Sequence, residues 1–561
     1  WADCSGAASY DVYFGTTNPP LYYDNVTESQ YDLPQLNYNT TYYWKIIAKN
    51  ACGDTSGPDW QFITQSTHGY YSSNHYQILP GVIWAPATGG GIWITNVQIT
   101  DATGGSQVSV YFNYGGGNRR GPIVLWASPG INRSIKFNNI LESINNLESG
   151  SFDYYGRVGA LEFITQDAAH KILVAARTFN GNYSKTYPGL NDVESNTADI
   201  TREMLIQNLT SNSVYRSAAG FFNPTSDGVT AELRLVDSTG STLGSAFTKT
   251  FLGYDYQAFN PFNEAGVPYP TYSYDNVFLR VRPLSGSGRL MCYGATANNN
   301  TNDPAAHLAV AVADEYENSP CDYQILPGAL WAPATGGGTW VTEVQIVDLS
   351  GGSQVSVYFN YGSGNRRGPF ILWTSPGVNQ SIKFPNILSA IDSLDSGSFT
   401  YNGKAGTLDF ITQDTAHKIH VAARTLNGNY SKIIQAVNAY VESNMAGTES
   451  NMNIQNITNN STYRTGAGFF NPTSNEVTVE FTLYNGSGSV LGSPFTKIFI
   501  GFDYQSFNPF NEAGVPYPAY SYDNVYLRVR PLLGSGRLVC CGATANNNTN
   551  DPAAHQAVKP E

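Results

Sequence analysis

Apolar and polar residues alternate with a period of two through most of the chain. In Gln107 to Tyr114 the alternation sets Val108, Val110, Phe112 and Tyr114 on one face of a strand. Trp93 to Ile99 and Val229 to Leu235 read the same way, and Gly, Asn, Asp and Pro punctuate the intervals. Helical spacing is confined to Ile140, Ile144 and Leu147, repeated as Ile387, Ile391 and Leu394, which predicts one short helix plugging a core in each of two places. The pattern predicts an all-β protein built as a string of β-sandwiches.

The string is written twice. Tyr76 to Pro80 returns as Tyr323 to Pro327, Asn118 to Pro122 as Asn365 to Pro369, and Asn260 to Glu264 as Asn508 to Glu512. Each copy divides into two halves that close alike, Val174 to Asn180 and Cys292 to Asn298 both running into Asn-rich turns. The expected organisation is a first module over 1–66, sandwiches at 76–183 and 184–307, a connector at 308–322, sandwiches at 323–430 and 431–555, and a tail at 556–561.

The first module differs in kind. Ser9 to Thr16, Leu36 to Lys45 and Thr55 to Pro58 together resemble a bacterial fibronectin type III domain over residues 1–64. The resemblance implies that the string is one of immunoglobulin-like or fibronectin-like β-sandwiches, and it places Cys4 and Cys52 in loops at one end where a disulfide could join them. It also implies two opening strands with no counterpart here. Either these lie upstream, or a neighbouring chain supplies them by strand addition. The large repeats resemble β-sandwich repeats of secreted bacterial surface proteins.

Only 13% of the 561 residues are charged, against 38 Tyr and 55 Gly, a composition that suits a secreted, cell-surface β-protein. The net charge of -13 leaves no basic stripe for a phosphate backbone, so no nucleic-acid partner is expected. No apolar run is long enough for a membrane span. The six cysteines form no CxxC or Cys/His cluster, and Cys321 and Cys541 stand where the first copy has Asn74 and Tyr293. Those two could pair within or between chains.

Candidate chemistry is sparse. Asp167 with His170, mirrored by Asp414 with His417, has the residue types of a general base, but turn chemistry accounts for both and no catalytic residue is assigned. No cofactor is expected. Calcium is the one metal the sequence allows, with Asn300, Asn302, Asp303, Asn548, Asn550 and Asp551 as oxygen ligands, although an Asx-rich turn before proline explains the same runs. Arg119, Arg120, Arg366 and Arg367 are candidate contacts between domains or subunits, bridging to Glu264 or Glu512 or capping a hairpin. Tyr254, Phe262, Phe502 and Phe510 belong to aromatic segments that could cement one sandwich to the next or present a platform to sugar rings.

These readings lead to an expected function. The chain is expected to be a non-enzymatic extracellular structural protein, a filament, sheath or surface-layer subunit whose partners are copies of itself. The alternative is a carbohydrate-binding or adhesive module accessory to an enzyme, with cell-surface glycans as ligands.

Overall fold

The computed structural model describes residues 4, 6–31, 33, 41–50, 53–63, 75–87, 90–181, 183–190, 197–312, 322–334, 337–428, 430–439, 445–447 and 450–559. The chain divides into two compact units, residues 1–71 and 72–561. Almost every described element is an antiparallel strand.

In the first unit Ser9–Gly15 lies between Tyr22–Val26 and Thr41–Asn50, and Gly53–Ser56 and Trp60–Ile63 both pair with the far edge of Thr41–Asn50. The described strands make one sheet. Tyr10, Val12, Phe14, Tyr42 and Ile46 are buried on one face, and Trp44 stacks on Trp60 with centroids 4.4 Å apart.

The described residues of the second unit form four sandwiches, here A1 (76–190), B1 (197–311), A2 (323–438) and B2 (446–558). In A1, Tyr76–Pro86 and Ile92–Asp101 form a hairpin only through Trp84 to Pro86 and Ile92 to Ile94. Beyond that corner the strands part, the first pairing with Arg157–Thr165 and the second with Ile172–Asn180, so a single sheet doubles over its own core. Val108, Val110 and Phe112 point into that core as their alternation predicts. The helix Ile140–Leu147 closes it, with Asn139 as N-cap accepting from Glu142 N. Its buried residues are Ile140, Leu141 and Ile144, whereas Leu147 is 52% exposed. The helix ends at Leu147, so the stripe shifts one residue towards Leu141, and Leu388 with Leu394 repeats the correction.

B1 is two separate sheets facing across Ile206, Phe221, Leu233, Phe262 and Val281. Tyr183–Pro188 pairs with Ile172–Asn180 through a turn at Gly181, so the sheet of A1 runs past 183 to Pro188. Tyr430–Gln435 does the same in A2. The connector and tail also join sheets: Val310–Ala311 pairs with Met204 and Leu205, and Val558 bridges to Asn453.

The string of sandwiches closes on itself. B1 packs against A2, and B2 returns to A1. Gln345 of A2 accepts from Asn208 N (2.7 Å) and donates to Asn276 (2.8 Å) of B1. Gln98 of A1 repeats both bonds with Asn456 N and Asn524 of B2. An ion pair flanks each joint, Lys383 with Asp275 and Lys136 with Asp523. The ring has an approximate two-fold relation between copies, and the duplicated polar residues mark its joints. Among the described residues no helix is long and apolar enough to cross a membrane.

Candidate functional site

The joint between A1 and B1 is built on Arg119. Its guanidinium lies 3.6 Å from the ring centroid of Tyr111 and 4.3 Å from that of Tyr254, and it reaches the buried carboxylate of Glu162 at 3.0 Å. Arg366 sits likewise between Tyr358 and Phe502, with Asp409 at 2.7 Å. Tyr254 and Phe502 hold left-handed backbone conformations, φ 59° and 58°, on tight turns that carry these rings to the arginine. Arg119 with Tyr254 and Arg366 with Phe502 are inter-domain contacts. Burial pushes the Glu162 carboxyl up and the Asp409 carboxyl up to about 6.

The other four expected contacts lie inside single sandwiches. Arg120 pairs with Glu148 at 3.0 Å and Arg367 with Asp395 at 2.6 Å, each tying a strand to the end of the short helix. Phe262 and Phe510 are fully buried in the cores of B1 and B2. Glu264 and Glu512 pair with Lys249 and Lys497, each at 2.8 Å, rather than with any of these arginines.

The Asn-rich turns meet at the centre of the ring. Asp303 accepts from Ser431 N at 2.7 Å and Asp551 from Ser184 N at 2.8 Å, so each copy's aspartate caps a strand of the other copy. The two carboxyls lie close enough for their charges to repel. Both are fully buried. Burial pushes both up, Asp551 to about 7, because two charges this close cannot persist out of water. Asn302 and Asn550 accept from Arg216 and Arg464 at 2.5 Å, while Asn300 and Asn548 donate their backbone N–H groups to Asn298 and Asn546. Among the described residues no three His, Cys, Asp or Glu side chains converge as a metal site.

Asp167 and His170 are 2.7 Å apart and Asp414 and His417 2.6 Å, each pair on an exposed turn. The imidazole beside Asp167 holds its carboxyl below the usual range. Ala169 N donates to the same Asp167 oxygen, and Thr165 Oγ1 donates to the carbonyls of Asp167 and His170. These bonds fasten the turn. Cys4 is exposed, while Cys52 and Cys321 lie outside the described residues.

The two copies diverge beside the central carboxyls. In copy 1 the phenol of Tyr293 bonds Tyr256 Oη at 2.7 Å and fills the space between Gly81 and Gly220, leaving a hollow of about 10 Å³. In copy 2 Cys541 replaces Tyr293 and Ile434 replaces Tyr187, and a cavity of about 370 Å³ opens against Tyr504, Lys432, Gly328 and Gly468 and reaches Tyr187, His307 and Leu308 of copy 1. Cys541 Sγ donates to the Pro327 carbonyl at 3.4 Å, and burial pushes its thiol up. The Tyr293-to-Cys541 difference is visible in the sequence. Its consequence is not, because the wall comes from segments far apart in the chain.

No family model matches the chain, and no curated protein matches it. Among solved structures, Escherichia coli alpha-2-macroglobulin activated by porcine elastase is similar at 9% identity and TM-score 0.11, over 100% of this chain and 50% of that one. Streptomyces avermitilis alpha-L-rhamnosidase complexed with L-rhamnose is similar at 10% identity and TM-score 0.13, over 99% and 54%. The chain spans about half the length of each.

Proposed function

We propose that this protein is an extracellular structural protein of the cell surface, a subunit that assembles with copies of itself into a filament, sheath or surface layer. One observation carries the reading. Among the described residues, Tyr22–Val26 is an edge strand of the first unit, paired on one side only, and Leu21, Tyr22 and Tyr23 beside it are 68%, 56% and 40% exposed. An apolar open edge is a template for a strand from another molecule. The fibronectin type III resemblance of residues 1–64 and the low charge content fit a role outside the cell, and no catalytic role is assigned. The test is sedimentation and negative-stain microscopy of the whole chain over a concentration series. Ordered polymers should form, and Tyr22→Lys with Tyr23→Lys should leave dispersed particles. Wild-type chains that stay single at high concentration would overturn the proposal.

A second reading, attachment to glycans, has its own observation. Tyr269 and Tyr272, with their counterparts Tyr517 and Tyr520, are 43–47% exposed at one loop of each copy. Amphipathic rings held in the open can stack on sugars. A glycan array probed with the wild type and with Tyr272→Ala plus Tyr520→Ala tests it, and equal signals would dismiss it.

A further inference from the structure

The duplication supplies an internal picture of what belongs in the copy 2 cavity. A Cβ built on Gly81 would stand 2.6 Å from the Tyr293 ring, and one on Gly220 2.1 Å, so in copy 1 both positions are glycine because the ring lies flush against the backbone. Gly328 and Gly468 keep that clearance with the ring gone. A Cβ on Gly328 would find nothing nearer than Ile434 Cδ1 at 3.7 Å, and one on Gly468 would meet only Cys541 Sγ and Tyr504 Oη at 3.3 Å. The hydroxyl partner is also retained, since Tyr504 occupies the position of Tyr256. Lys185 Nζ stands 5.8 Å from the Tyr293 centroid, and Lys432 keeps the cation on the same wall.

We propose that the copy 2 cavity binds a free small phenol, its ring between Gly328 and Gly468 and its hydroxyl on Tyr504 Oη, in the pose that Tyr293 holds in copy 1. The cavity, which runs on to Tyr187, His307 and Leu308 of copy 1, has a volume of about 370 Å³, in the range of small-molecule pockets. The lining is mainly apolar, with Ala329, Ala467 and Phe507 around a few polar groups, which suits one aromatic ring with one hydroxyl. Exposed Gly466 and Ser506 line it too and give a route to solvent. Binding is non-covalent. Cys541 has a raised thiol pKa, which keeps it protonated and a poor nucleophile.

The probe is 4-methylphenol, the tyrosine side chain as a free molecule, titrated calorimetrically into the whole chain. One site per chain is expected. Cys541→Tyr, which restores the residue of copy 1 and should fold at least as well, should weaken binding by about tenfold or more. Tyr293→Cys should add a second site. Toluene, with the ring but no hydroxyl, should bind several-fold more weakly. Absence of saturable binding, binding undiminished in a folded Cys541→Tyr chain, or toluene binding as tightly as the phenol would each overturn the proposal.

Discussion

Gln98 Nε2 donates to Asn524 Oδ1 at 2.8 Å although 426 residues separate them, and Gln345 makes the same bond to Asn276 at 2.8 Å across 69. Each glutamine is fully buried and also accepts from a backbone N–H at a strand irregularity, Asn456 or Asn208. Gln345→Ala would leave the buried Asn208 N–H without its acceptor, at about 1–3 kcal/mol. Chemical denaturation should show that loss, and Gln345→Glu should be at least as harmful because it adds a buried charge. Indifference to both substitutions would show that the joint contributes no stability.

The carboxyl pair at the ring centre predicts a pH dependence. Asp551 holds its proton up to about 7 in the folded chain, and Asp303 is raised in the same direction, whereas unfolded aspartates release theirs near about 4. The native state therefore binds more protons between these values. This contribution is complete below about pH 4 and is lost as the pH rises through about 7. Asp303→Asn keeps an acceptor for Ser431 N and provides an amide donor to Asp551. It should flatten the slope and gain about 2–4 kcal/mol at pH 8, read from denaturation midpoints across pH.

Arg119 and Arg366 test whether stacking between two rings holds the joint within each copy. Arg119→Lys keeps the charge but loses the planar contact with Tyr111 and Tyr254, and should cost about 1–3 kcal/mol. Arg234→Lys, at the exposed pair with Glu232, should change stability by less than about 0.5 kcal/mol. Equal effects at the two positions, measured by urea unfolding, would contradict the stacking account.

A single copy should dimerise. Residues 75–312 alone would expose the surfaces that copy 2 covers, and in a second molecule Asn276 stands ready for Gln98. Sedimentation equilibrium of that fragment should show a two-fold dimer, weakened by Gln98→Ala. A stable monomer would mean that the joints need the covalent link.

The legible part of this fold was what local periodicity controls. The alternation of Val108, Val110 and Phe112 fixes a face, and a short helix follows from Ile140 and Ile144 with Asn139 ahead of them. The Asn260-Pro261 pair also marks a helix start, Asn260 capping Pro261–Glu264, a signal submerged in an aromatic stretch. Ring closure was not legible. It depends on Gln98 and Gln345, which in one strand look like ordinary polar positions, and on Asp303 meeting Asp551 from the other end of the molecule. The exchange of Tyr293 for Cys541 invited a disulfide reading for the same reason, since adjacency in space leaves no local mark.

Joining two like halves in one polypeptide has a consequence for how such a molecule can change. In a symmetric pair of separate chains every substitution occurs twice, so a new hollow in one partner is a new hollow in both. Here position 541 carries a cysteine where position 293 carries a ring, so a single gene holds an unequal pair of faces together with the matched surfaces that keep its halves together.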